Sequence, residues 1–218
     1  MPLPPTHVIF DLDGTLVDSE PLYTLASERV LARFGKVFDL GIKRQIMGGG
    51  PLAGARFVVE QLGLPLSPEA YLAERELILM EACKTARAMP GASALIEALH
   101  ARGIPLAIGT SSSRELCRVK LAAQAFGARF QVITCSDDPG VTSAKPAPDI
   151  FLKAAAELGA APARCLVFED TPKGVAAARA AGMEVIAVVD AMMLGEDYSG
   201  ASRVVRSLEE ITLAELGL

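Results

Sequence analysis

Two acidic pairs occupy positions suited to phosphorus chemistry. Asp11 and Asp13 follow the apolar run 8–10, and Glu169 and Asp170 follow a second apolar run, 165–168. If both runs are strands of a parallel sheet, their carboxyl ends open on one ligand crevice. There Asp11 could attack phosphorus while Asp13 donates and accepts a proton, and Gly14 would let the chain turn sharply beside an anion. Up to four carboxylates gathered at one sheet edge are electrostatically costly without a cation. Magnesium fits, because it takes hard oxygen ligands and is often held by a few carboxylates plus substrate phosphate. Plainer readings compete: Asp and Gly are ordinary turn residues, and Asp170 before Thr171 and Pro172 also suits a helix start.

Two further groups could complete such a site. Thr110, Ser111, Ser112 and Ser113 follow the run 104–109, and hydroxyls with backbone N–H groups at a strand end can cradle phosphate. A serine run is equally an ordinary loop and N-cap. Lys145 stands before Pro146, in a stretch whose two prolines restrict the backbone. It could neutralise a nucleophilic carboxylate and transferring oxygens, although a lysine in isolation is usually solvated.

The elements that must position these residues follow from pattern. Apolar runs at 8–10, 104–109, 131–135, 165–168 and 185–189 read as buried strands. They alternate with helical periodicity at 92–102, 114–126, 148–158 and 172–181, with Gly103, Gly127, Gly159 and Gly182 placed as stops. This predicts an α/β fold, a parallel sheet with helices on both faces. Residues 19–89 break the rhythm with helical stretches and no convincing strand. Segment 24–34 stops at Gly35, 53–62 stops at Gly63, and Ser67 with Pro68 opens a long helix. Pro90 and Gly91 mark the return. The expected division is a core of 1–18 and 90–218 and an inserted helical domain of 19–89.

Bulk properties narrow the function. The 218 residues suit one large or two modest domains. Charges interrupt every apolar stretch before the roughly 20 residues a membrane span needs, and the N-terminus does not read as a secretory signal, so a cytoplasmic protein is expected. A net charge of −5 disfavours a nucleic-acid surface but not a small phosphorylated ligand. Cys83, Cys117, Cys135 and Cys165 form no CxxC pair and are expected as reduced core thiols. A monomer or weak dimer is expected.

In order, DLDGTLVDSE, IGTSSS, KPAPDIF and FEDTPKGVAAARAAG resemble the four motifs of the haloacid dehalogenase superfamily, over essentially the whole chain. The insertion after the first motif resembles the helical cap of its beta-phosphoglucomutase-like branch. The resemblance implies a Rossmann-like core with a helical cap and a magnesium-dependent phosphatase acting through an aspartyl phosphate. By it, Asp11 is the nucleophile, Asp13 the general acid and base, and Lys145 the charge stabiliser. Thr110, with Ser111 and Ser112, would bind the phosphoryl group. Asp11, the backbone carbonyl of Asp13, and Asp170 would bind magnesium, with Glu169 as ligand or support.

Asp13 favours phosphate esters, since dehalogenases lack this aspartate and transport ATPases carry threonine. Tyr23 and Pro51 stand where beta-phosphoglucomutases carry a hinge histidine and a cap arginine. This favours a phosphatase over a sugar phosphomutase, which stays as the alternative. A phosphoacceptor receiver domain is a remoter one, since it has no inserted cap. Segments such as DSEPLY and CLVFEDTPKGVAAARAAGMEV are similar to pseudouridine 5'-phosphatase and sugar phosphatase members, implying a nucleoside monophosphate or sugar phosphate. The cap loop Gly48, Gly49, Gly50 and Pro51 is expected over the site, with Gly49 and Gly50 against substrate. The residues before Lys145 depart from the family pattern, which often has glycine there, and Asp137 and Asp138 are expected as turn residues.

Overall fold

The computed structural model describes residues 4–47, 50–190 and 193–218. The chain runs β1 (His7–Phe10), β2 (Val17–Asp18), α1 (Glu20–Ala32), α2 (Leu40–Ile46), α3 (Pro51–Leu62), α4 (Pro68–Cys83), β3 (Arg87–Ala88), α5 (Ala92–Ala101), β4 (Leu106–Gly109), α6 (Arg114–Ala122), β5 (Val132–Thr134), α7 (Asp149–Glu157), β6 (Cys165–Glu169), α8 (Pro172–Ala180), β7 (Glu184–Val188) and β8 (Arg203–Val205). Six strands form a parallel sheet in the order β5-β4-β1-β6-β7-β8. β1 and β6 are therefore central neighbours, with Phe10 opposite Phe168, and Asp11 and Glu169 leave or end them at the same edge.

Both sheet faces are covered, as the near-continuous apolar strands require. Phe10 and Phe168 stack at 5.0 Å between ring centroids on one face. Ile9 and Val167 pack with Phe151, Ala154 and Val175 on the other. All four cysteines are buried and unbridged. Among the described residues no helix is long and apolar enough to cross a membrane.

Helices α1 to α4 form their own apolar cluster around Val30, Leu31, Val58 and Tyr71. Ser67 caps α4 by accepting from the Ala70 N–H, with Pro68 at its first position. This layer joins the sheet unit through β2 paired antiparallel to β3, and through Ala26, Leu79 and Cys83 packed on Leu116 of α6.

The expected sheet strands and helices fall within a few residues of those observed. Helix α6 ends at Ala122, earlier than the periodicity suggested, and a short 3-10 turn at Gly127–Arg129 follows. α2, the β2–β3 pair and the edge strand β8 were not anticipated. They are short, and two- or three-residue strands carry no readable alternation.

Candidate active site

The chain leaves β1 at Asp11, whose N–H donates to Phe168 O of β6 at 2.9 Å. Gly14 then turns at φ +79°, and a Cβ there would lie 2.2 Å from Asp170 Oδ2. Only glycine permits both that backbone and the close approach of the second strand's carboxylate.

Three buried carboxylates gather at this edge. Ligand oxygens of Asp11, Glu169 and Asp170 lie within 4.8 Å of one another. Lys145, itself buried, donates to Asp11 Oδ1 at 2.5 Å, Glu169 Oε1 at 2.6 Å and Gly109 O at 3.2 Å. It is therefore not the solvated lysine its isolated reading suggested. Its loop is fixed from below, because Asp149 accepts from the Thr142 N–H and hydroxyl and the Ser143 N–H. The other oxygen of Glu169 accepts from the Thr171 N–H at 2.7 Å and hydroxyl at 3.0 Å, so Glu169 is engaged on both sides. A Cβ on Gly174 would overlap Glu169 Oε1 at 1.7 Å, which shows how closely α8 supports this carboxylate.

Asp170 differs. Among the described residues its carboxylate accepts no hydrogen bond and forms no ion pair, although it is buried and lines the cavity. Burial, then the charges of Glu169 and Asp11, push its pKa well above the carboxylate range. Burial likewise raises Asp11 to about 7, with Lys145 opposing and Glu169 adding to the rise. Buried carboxylates short of positive charge, with oxygens close enough to share one ion, fit a hard divalent cation such as magnesium.

Asp13 lies in a second cluster rather than among the three carboxylates. It forms an ion pair with Lys120 Nζ and accepts from Ser19 Oγ at 2.5 Å and Ser112 Oγ at 2.7 Å. Burial alone would raise its pKa, but Lys120 and these hydrogen bonds overcome that and lower it. Lys120 also donates to Ser112 Oγ at 2.8 Å and Tyr23 OH at 3.1 Å. Any metal contact from Asp13 must therefore come from its backbone carbonyl, not its carboxylate.

Of the expected phosphoryl-binding residues, Ser111 and Ser112 line the cavity, and Ser111 Oγ is buried without a hydrogen-bond partner among the described residues. Thr110 is buried behind them, with its hydroxyl 3.5 Å from Asp13 Oδ2 and accepting from the Ser112 N–H at 3.1 Å. Gly50 and Pro51 line the cavity where α3 begins; Gly48 and Gly49 lie outside the described residues. Asp137 and Asp138 are turn residues, accepting from the Arg114 and Cys135 N–H groups.

Sequence reasoning missed Lys120 and Arg75, and the signal was present in periodicity. The buried positions of α6 are Leu116, Cys117, Lys120 and Leu121, and those of α4 are Tyr71, Arg75, Leu79 and Cys83. A cation on an apolar helix stripe is costly without an acceptor, and Lys120 finds one in Asp13.

The cavity between the sheet edge and helices α1 to α4 has a volume of about 110 Å³. One water needs only about 10–15 Å³ on that measure, so there is room for a small organic phosphate.

Comparison with known proteins agrees with this geometry. Residues 5–182 match the model of haloacid dehalogenase-like hydrolases. The chain is 41% identical over 217 residues to a probable pseudouridine-5'-phosphatase of Drosophila melanogaster, covering 98% of this chain and 94% of the relative. It is 41% identical over 220 residues to (DL)-glycerol-3-phosphatase 2 of Arabidopsis thaliana, covering 98% and 91%. Among solved structures, CbbY from Rhodobacter sphaeroides in complex with phosphate superposes with a TM-score of 0.84 at 27% identity, covering 98% and 99%. With this match over residues 5–182, and with Asp11, Lys145 and the acidic cluster gathered at one sheet edge, the chain belongs to the haloacid dehalogenase-like hydrolases.

Proposed function

We propose that this hydrolase is a magnesium-dependent phosphatase that dephosphorylates a small metabolite, a sugar phosphate or nucleoside monophosphate, through a phosphorylated Asp11. The observation that carries the reading is the position of Asp11, in contact with Lys145 and within reach of Asp170, lining the cavity between the sheet edge and the helical layer. Asp11, Asp170 and the backbone carbonyl of Asp13 would hold magnesium, with Glu169 positioning Lys145 from behind. When bound, the ion neutralises phosphoryl charge and the repulsion between the carboxylates.

The chain's own residues account for the remaining chemistry. An Asp11 oxygen attacks phosphorus and the bond to the alcohol oxygen breaks, while Lys145 and the Ser111–Ser112 end of the cavity stabilise the transferring oxygens. Asp13 delivers a proton to the departing alcohol. Water then attacks phosphorus of the acyl phosphate, Asp13 takes its proton, and phosphate and free Asp11 result. The lowered pKa of Asp13 suits the second half-reaction. For the first, the proton must arrive with the substrate monoanion or Asp13 must leave Lys120.

Residues 19–89 act in this reading as a cap over a core of 1–18 and 90–218, with β2 and β3 as the connection, excluding water during transfer. Tyr23 and Pro51, standing where the mutases carry a hinge histidine and a cap arginine, support hydrolysis over mutase chemistry; a second phosphate would need another cation of the cavity wall, such as Arg75. The test is phosphate release from a panel of phosphorylated metabolites with magnesium, beside Asp11→Asn and Asp13→Asn. Loss in both is expected, and parental rates in both would refute the mechanism. Rapid conversion of beta-glucose 1-phosphate to glucose 6-phosphate with a trace of bisphosphate would favour the mutase.

A further inference from the structure

The far wall of the cavity contains a buried cation with no counter-ion among the described residues. Arg75, in the middle of α4, is 5% exposed and lines the same cavity as Asp11 and Asp13. Among the described residues it donates no hydrogen bond and no carboxylate lies within ion-pair distance; its Nε is buried and unpartnered. Glu20, which lines the same cavity, is paired with Lys43 at 3.4 Å. Ser27, on α1 and lining the same cavity, also has a buried hydroxyl without a partner among the described residues.

What holds Arg75 is aromatic. Its guanidinium carbon lies 5.6 Å from the Tyr23 ring centroid and 6.0 Å from that of Tyr71. Ring faces attract a cation and orient its plane, but they accept few of its five N–H donors. The buried Nε–H, without an acceptor among the described residues, is costly to leave unmet, and an acceptor entering the cavity that Arg75 lines would relieve that cost. Tyr23 sets the spacing: its hydroxyl is 3.3 Å from Ser112 Oγ, which is bonded to Asp13. Arg75 thus stands one tyrosine ring beyond the leaving-group end of the site, where the alcohol portion of a phosphate ester would extend.

We propose that Arg75 is the specificity-determining residue for that alcohol portion, donating hydrogen bonds to an oxygen acceptor on it: a carbonyl, a carboxylate or a hydroxyl. The inference rests on the phosphatase reading above. The planar fork suits two acceptor oxygens at once, which a lysine would not reproduce.

The test compares kcat/KM for pseudouridine 5'-phosphate, phosphoglycolate and glycerol 3-phosphate, whose acceptors are carbonyl, carboxylate and hydroxyl, with phenyl phosphate, which has none. Parent, Arg75→Met and Arg75→Lys proteins are measured with magnesium. The parent should prefer at least one acceptor-bearing ester to phenyl phosphate. Arg75→Met should lose about tenfold to a hundredfold on that ester, the span of a hydrogen bond to a charged group, and stay within threefold on phenyl phosphate. Arg75→Lys should lose less, and on the same ester only. The ester most affected identifies the acceptor. An equal loss on every ester, from merely disturbed packing, would overturn the proposal, as would unchanged selectivity or a parent that prefers phenyl phosphate. If Arg75→Met does not fold, the Arg75→Lys pattern decides by the same criteria. Failure of the parent to release phosphate from any ester, phenyl phosphate included, would instead refute the phosphatase reading and the proposal with it.

Discussion

Replacing Lys120 by methionine isolates the charge balance around Asp13. Lys120 is fully buried, whereas the Asp13 side chain is 18% exposed at the cavity. Removing one partner of a buried ion pair leaves an uncompensated charge and costs about 3–5 kcal/mol. The partial exposure of Asp13, and its remaining bonds from Ser19 and Ser112, argue for the lower end, about 3 kcal/mol. At about 2–4 °C per kcal/mol for a chain of this size, the melting temperature should fall by about 6–12 °C near neutral pH.

The pH dependence carries the sign. In the parent, Lys120 holds the Asp13 pKa down. That stability is therefore present above the unfolded value of about 3.9 and lost as pH falls through the depressed folded value. In Lys120→Met, burial alone raises the Asp13 pKa, so the variant's penalty is relieved by protonation. The gap in melting temperature should narrow between about pH 7.5 and pH 4.5. Thermal unfolding at both values checks this, and adding Asp13→Asn to Lys120→Met should recover most of the loss. A variant melting within about 2 °C of the parent at neutral pH, or a gap that widens on acidification, would refute the reasoning.

Other outcomes follow from the same geometry. Metal-free protein should lose stability as pH rises from about 4 to 7, because the folded state retains a proton on Asp11 that the unfolded chain has released; magnesium should therefore raise the melting temperature more at about pH 7.5 than at pH 5, and the reverse order in calorimetry would contradict the shared-ion site. Gly174→Ala should destabilise by about 1–3 kcal/mol in urea unfolding and lower kcat, because its Cβ occupies the place of the Glu169 carboxylate; a fully active, equally stable variant would count against the role of Glu169. Gly14→Ala combines a left-handed backbone with overlap on Asp170, so magnesium titration of activity should show a weakened apparent affinity.

The sheet was legible because its strands are continuous apolar runs between glycine-stopped helices, and the acidic pairs stand where such strands end. Asp11, Glu169, Asp170 and Lys145 share one site although 134 residues separate Asp11 from Lys145, a juxtaposition their order along alternating strands and helices implied. Charge partners were less legible. Asp13 was grouped with the other carboxylates by spacing, yet its side chain turns to Lys120, which helix periodicity marked as buried without indicating its partner. The helical wall of the cavity was hardest to read, since Arg75, Ser27 and Tyr23 converge only through helix packing that has no motif.

The central claim, that Asp11 takes the phosphoryl group, is tested most directly by acid-quenching the protein during turnover of phenyl phosphate with magnesium and sequencing its peptides by mass spectrometry. One phosphoryl group on Asp11, absent from Asp11→Asn and from magnesium-free protein, is the expected result. Steady phosphate release by Asp11→Asn at the parental rate would contradict it.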